Sequence, residues 1–372
     1  MSAQETREPV RGQSLADGAA GTTLLHLEFG NDCRDLLKAM VAEPVEAHPD
    51  EATLFEGAPA VAFTLSATSH WRALTTLDEH VDTVTRTRLA AAHRRIDRGV
   101  PPAKREFDLI AGLTGLGAYL LHRHRGGDLL RDVLAYLVRL TEPQPDGLPG
   151  WWAADAPGRQ SPDWQGGHGN LGIAHGIAGP LALLSIAMRR GITVDGQAEA
   201  MNRICQWLDR WRCGTAHRAW WPGVISRSEH EAGVVRQHGP QRPSWCYGTP
   251  GLARAQHIAG IALNDASRQH FAQQVLAWCV ADESQLAQLR DVSLCHGWAG
   301  LVHTAWRVGQ DDEQVRAHIP RLLDRLAESL RHQPPSSHGL LEGEPGVRLA
   351  QHAATTNTPP ATGWDACLLL DS

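Results

Sequence analysis

Residues 244–251 read SWCYGTPG and run into LARAQHIAGIAL, a mostly apolar stretch. A turn from Gly248 to Gly251 therefore opens an apolar helix. The same unit recurs as Gly112 to Gly115 before LGAYLLHRH, Gly176 to Gly179 before PLALLSIAMRR, Gly297 to Gly300 before LVHTAWRV and Gly343 to Gly346 before VRLAQHAA. An eroded copy, Gly57-Ala-Pro-Ala60, precedes VAFTLSATSHW. A single Gly-x-x-Gly is an ordinary turn; five copies and a remnant, each interval long enough for two helices, define a repeat architecture.

Between the turns lie LLRDVLAYLVRLT and AEAMNRICQWLDRW, whose apolar residues recur with the period of helices packed on one face. Alternating strand patterns are scarce. The fold expected is all-α, an α/α toroid in which glycine-led apolar helices form an inner ring and amphipathic helices an outer one. Glycines at the inner helix starts let neighbouring backbones approach closely. Segments 141–170 and 213–243 are rich in Pro, Gly and Trp and read as long loops. No second domain is visible, so 1–372 is expected to form one toroid, with residues 1–30 a poorly ordered or peripheral N-terminal segment.

Composition narrows the function. The chain is 42% hydrophobic and 20% charged with a formal net charge of −6, which fits a globular protein and, without a Lys/Arg cluster, disfavours nucleic acid or an anionic membrane as partner. Seven cysteines without framework spacing suggest reduced thiols and a cytoplasmic protein. The opening MSAQETREPVRGQ has no apolar signal-peptide core. Leu171 to Met188 carries no acidic or basic side chain beyond His175, but Gly172, Gly176, Gly179 and Pro180 make a buried turn and core helix the better reading than a membrane span.

Aligning the copies on their first glycine brings out the chemistry. Two residues before it stand Phe55, Ile110, Ala174, Cys246, Cys295 and Leu341; one before it stand Glu56, Ala111, His175, Tyr247, His296 and Glu342. Equivalent positions of a toroid share one end of the ring, so Cys246, Cys295, His296 and His175 should converge. Two thiolates and an imidazole are a zinc donor set, and three protein ligands leave a fourth position for substrate. The plainer alternative makes both cysteines small buried hydrophobes. Cys33, Cys205, Cys213, Cys279 and Cys367 lack such company and read as packing or surface residues. Asp108, four before Gly112, is either a turn cap or a partner for His175; Arg242, four before Cys246, is either a surface ion-pair member or a fixed cation near the metal.

GLTGLGAYLL, NLGIAHGIAG, SWCYGTPG and SLCHGWAG closely resemble the signature segments of the lanthionine synthetase C-like proteins, the lanthipeptide cyclases. The resemblance runs from about Phe55 to the C-terminal GWDACLLL. It implies a seven-fold α/α toroid with one catalytic zinc, and it implies a seventh, degenerate repeat, which is expected near WDACLLL. Motif by motif it places zinc ligands on Cys246, Cys295 and His296, the acid/base histidine on His175, and further site residues on Asp108, Arg242 and Tyr247. The implied reaction adds cysteine thiols of a precursor peptide to dehydroalanine or dehydrobutyrine, forming thioether rings in antimicrobial peptide biosynthesis. The implied partners are the dehydrated peptide, a separate dehydratase and a transporter. Glutathione addition, prenyltransferase-like thiol alkylation and a non-catalytic, zinc-stapled peptide scaffold stand as alternatives; the scaffold would need a fourth protein ligand, for which His168 and His303 are the spare histidines. Thirteen tryptophans, several of them near the loops, either wall a peptide cleft or pack the loops.

Overall fold

A computed structural model describes residues 12–371 apart from 125, 126, 145 and 336. Helices follow one another in pairs: α1 (Ala19–Glu28) and α2 (Arg34–Met40), α3 (Ala58–Leu65) and α4 (Trp71–Asp97), then a single turn, α5 (Lys104–Phe107). The next pairs are α6 (Leu113–His124) with α7 (Asp128–Leu140) and α8 (Ala178–Arg189) with α9 (Gln197–Arg210). After a short α10 (Arg227–Ala232) come α11 (Thr249–Ala262) with α12 (Ala266–Ala281), a one-turn α13 (Glu283–Leu286), α14 (Trp298–Gly309) with α15 (Glu313–His332), and α16 (Glu344–Thr356).

The first member of each pair, together with α16, forms an inner ring. Each inner helix packs on the next, and α16 packs on α1, which closes the circle. Among the inner helices, every residue of α3 is buried, as are Ala178–Ala187 of α8. Outer helices bury one stripe, such as Leu129, Leu130, Val133, Leu134, Tyr136, Leu137 and Leu140 of α7, as expected where the other face meets water. The double ring of helices expected from the repeat is the fold.

In six of the seven units the second glycine explains why the repeat survives. A Cβ on Gly21, Gly115, Gly179, Gly251, Gly300 or Gly346 would strike the carbonyl oxygen of Leu15, Leu109, Ile173, Trp245, Leu294 or Leu340 respectively, each six positions earlier. Only glycine lets the incoming loop fold so tightly over its own helix start. Main-chain bonds then link loop to loop around the ring: Leu109 N–H to Ala174 O (3.1 Å), Ile173 N–H to Cys246 O (3.0 Å), Cys246 N–H to Cys295 O (3.2 Å), Cys295 N–H to Leu341 O (3.0 Å), Leu341 N–H to Ala16 O (2.9 Å) and Leu15 N–H to Phe55 O (2.9 Å). This belt sets the residues flanking each first glycine side by side.

Two expectations are corrected. The seventh repeat is N-terminal: Gly18-Ala-Ala-Gly21 opens α1, whose Ala19, Ala20, Leu24 and Leu25 are buried between α3 and α16. Residues 12–30 are thus part of the ring and not a peripheral segment, because α1 supplies the apolar face that closes it; residues 1–11 lie outside the described residues. The C-terminal WDACLLL is no repeat. It makes a 3-10 turn over Trp364–Leu368 and stays buried through Leu370. Trp245 Nε1 donates to Leu368 O (3.1 Å), Arg254 Nε and Nη2 to Leu370 O (3.1 and 2.8 Å), and Asp365 Oδ2 receives His303 Nε2 and Arg307 Nε at 2.7 Å each. The turn also packs on α6, which adjoins neither α11 nor α14, so this tail lies across the interior of the ring.

The long segments 141–170 and 213–243 are tied to each other by two short strands, β1 (His168–Asn170) and β2 (Val224–Ser226), paired antiparallel with His168 opposite Ser226. Trp151, Trp152, Trp221, Trp245 and Trp298 are all buried. These rings pack the loops, while Trp164 and Trp220 are half-buried.

Candidate active site

Four of the seven loops of the belt are shaped by a side chain four positions before the first glycine. Ser14, Asp108, Ser244 and Ser293 accept the N–H three residues on, from Asp17 (3.3 Å), Ala111 (2.7 Å), Tyr247 (3.5 Å) and His296 (3.2 Å). Such local side-chain bonds to backbone fix turns. Here they fix the residue just before the glycine, the position that carries Tyr247 and His296.

Cys246, Cys295 and His296 converge: one ligand atom from each lies within 4.8 Å of the others. Cys246 is buried while Cys295 and His296 are half-buried. The neighbouring Cys295 thiol outweighs burial and, with further help from His296 and from Ser244, whose Oγ lies 3.5 Å from the sulfur, holds the Cys246 thiol well below its ordinary range. The same pairing, reinforced by burial, keeps the Cys295 thiol well above its ordinary range. Hydrogen bonding to Cys246 raises the His296 imidazole against the effect of burial. His296 Nε2 also faces Glu342 Oε2 at 3.2 Å and Asp291 Oδ2 at 3.7 Å. Two soft sulfurs and one nitrogen, clustered without other protein ligands among the described residues, fit a zinc ion with one position left open. His168 and His303 do not join them. His168 Nδ1 binds Asp155 O at 2.8 Å and His303 is the partner of Asp365.

His175 and Asp108 meet on the same belt. Asp108 is buried, and its Oδ2 lies 2.7 Å from Nδ1 of His175, whose side chain is 35% exposed. The two sequence readings of Asp108 are both true of its geometry, since Oδ1 caps Ala111 N–H while Oδ2 holds the imidazole. Tyr247 lies over the loop of the neighbouring repeat, where a Cβ on Gly172 would come within 2.8 Å of its ring. Its ring centroid is 6.3 Å from that of His175, and burial pushes its phenol up to about 12, so it stays protonated. Arg242 acts electrostatically on Cys295, His296 and Glu342 and makes no side-chain hydrogen bond or ion pair among the described residues.

Sequence reasoning gives no role to Glu342, which it places in register with His296, and does not single out Asn170, Ser244, Ser293 or Asp291. Asn170 is buried on β1; Oδ1 accepts Gly172 N–H (3.1 Å) and Nδ2 donates to the Tyr247 hydroxyl (2.9 Å). Ser244 and Ser293 stand where Asp108 stands in its own repeat, and that shared register was the available signal. Nothing local marks Asn170.

The chain is thus an α/α toroid that carries a candidate metal site of two cysteines and a histidine on the same belt as an Asp-His pair. The chain belongs to the lanthionine synthetase C-like family, whose model matches residues 9–369. Nisin biosynthesis protein NisC from Lactococcus lactis subsp. lactis is 23% identical over 263 residues, a match that takes in 67% of this chain and 60% of that relative's length. The solved structure of a nisin cyclase superposes with a TM-score of 0.81 at 20% identity, covering 98% of this chain and 94% of that one, and the two share the fold.

Proposed function

We propose that the chain is a zinc-dependent lanthipeptide cyclase, adding the thiol of a peptide cysteine across the double bond of dehydroalanine or dehydrobutyrine. The observation that carries this reading is the placement of the Cys246, Cys295, His296 cluster and the Asp108–His175 pair on one belt. Cys246, Cys295 and His296 are the ligands. A zinc ion bound by them supplies a Lewis acid that lets a substrate thiol, with an ordinary pKa of about 8.5, give up its proton at neutral pH.

The chain's own groups do the rest. Asp108 engages Nδ1–H of His175, which leaves the Nε2 lone pair to take the thiol proton. As sulfur bonds the β-carbon, the alkene electron pair moves onto the adjoining carbonyl, and Arg242, with no partner of its own among the described residues, balances the developing enolate. His175 returns the proton to the α-carbon. The thiol hydrogen thus ends on carbon, one S–C bond forms, and nothing leaves. Tyr247, a neutral donor beside His175, assists proton transfer or lines the site.

The substrate on this reading is a precursor peptide already dehydrated by a separate enzyme, with a transporter in the same assembly, and the setting is cytoplasmic. No helix among the described residues is long and apolar enough to cross a membrane, which is compatible with that setting. The test combines metal analysis of the purified protein with mass spectrometry of a dehydrated cysteine-containing peptide, using loss of alkylatable thiol to report ring closure. A second arm offers glutathione to a dehydroalanine peptide; a glutathione adduct without ring closure would transfer the chemistry to an external thiol. A metal-free protein that leaves both peptides unchanged would refute the proposal.

A further inference from the structure

Glu342 stands at the His175, Tyr247 and His296 position of its own repeat. Its neighbour Leu341 accepts the Cys295 N–H at 3.0 Å, so the belt holds the Glu342 loop in register with the loop bearing two of the metal-site residues. The carboxylate has one polar partner among the described residues, His296 Nε2 at 3.2 Å. Asp291 Oδ2 lies 3.7 Å from the same nitrogen, but its other oxygen is committed to Ser293 N–H at 2.8 Å.

A ring nitrogen that faces two carboxylates carries the hydrogen, because a lone pair there would meet only other lone pairs. Nδ1 is then the nitrogen with a free lone pair. We propose that Glu342 is a positioning residue for the metal centre: its charge beside the Nε2 edge of His296 favours the hydrogen on that nitrogen and so leaves the Nδ1 lone pair for the ion, with Asp291 adding negative charge on the same side. A carboxylate behind a ligating histidine holds the ring in place and raises the basicity of its donor nitrogen. This inference rests on the metal reading given under the proposed function.

Glu342→Gln keeps the side chain's size and removes its charge, and because the side chain is 41% exposed the substitution leaves the fold intact. The experiment measures zinc affinity by chelator competition, the visible spectrum of the cobalt-substituted protein, and the metal's first shell by X-ray absorption, in wild type and variant. Unfolding temperature of the metal-free chains serves as the fold control. The expected result is an affinity about 10–100-fold weaker in the variant, with the same count of sulfur and nitrogen ligands, a shifted cobalt spectrum and an unchanged metal-free unfolding temperature. Equal affinity in the two proteins would overturn the inference and leave the metal reading standing. Loss of an oxygen ligand in the variant would overturn it differently, by making Glu342 a ligand. A wild type that binds no zinc would remove the metal reading itself.

Discussion

Asp108 joins two repeats through one carboxylate: Oδ1 accepts Ala111 N–H in its own loop at 2.7 Å, and Oδ2 lies 2.7 Å from Nδ1 of His175 in the next. The imidazole is therefore oriented by a group whose own position is fixed by its turn, and its free nitrogen is Nε2.

Asp108→Asn keeps an oxygen for Ala111 but turns an NH2 toward His175, which then presents a lone pair at Nδ1 and a hydrogen at Nε2. With the wrong nitrogen protonated, turnover on a dehydrated peptide is expected to fall about 10²–10⁴-fold, with zinc content and helical circular dichroism unchanged. His175→Ala should likewise retain metal while ring closure slows or goes astray. Loss of zinc from His175→Ala would make that residue a ligand and undo its assigned role.

Cys295→Ala removes one sulfur of the cluster and the neighbour that holds Cys246 down. Zinc affinity should drop by more than the roughly 10–100-fold that loss of an outer partner costs, and ring formation should disappear with it. Metal analysis and thiol-alkylation mass spectrometry read both. A variant that keeps its zinc and still closes rings would sink the ligand assignment.

What could be read from the residues alone follows from which constraints are local. Gly251 and Gly300 are spelled out because a Cβ at either would meet the carbonyl of Trp245 or Leu294, and Cys246, Cys295 and His296 are legible because they flank such glycines. The Gly18-Ala-Ala-Gly21 copy is hard to read from sequence because α1 is followed only by the seven-residue, largely exposed α2, so no amphipathic outer helix marks it. The apolar C-terminal run suggested a repeat, yet its burial comes from Trp245, Arg254 and α6, which the chain's order does not reveal. Asn170 meets Tyr247 across 77 positions, and no pattern near Asn170 points that way.

The glycine constraint is measurable. Gly251→Ala should cost about 1–3 kcal/mol as the loop shifts to admit the methyl group, lowering the unfolding temperature. Gly158, with nothing within 4 Å of a built Cβ, is the control, and Gly158→Ala should stay within about 0.5 kcal/mol of wild type. Equal, negligible shifts in the two variants would mean that close approach is not what keeps glycine in the repeat.

The tail's anchor should show in the pH dependence of stability. Burial pushes the Asp365 carboxyl up, but Arg307 and His303 together outweigh it and hold the group at about 2, below its ordinary 3.8. A depressed folded-state value means that the ionised carboxylate stabilises the fold throughout the range above the unfolded value, and that this contribution drains away as pH falls from near 3.8 toward 2. Asp365→Asn leaves Arg307 and His303 facing a neutral group in a buried site, at a cost of about 3–5 kcal/mol near neutrality. Urea unfolding of the two proteins at a series of pH values should show a gap that is constant down to about pH 5 and narrows steadily below about pH 4. A gap of the same size at all pH values would mean that the charge of Asp365 does not hold the C-terminal segment in place.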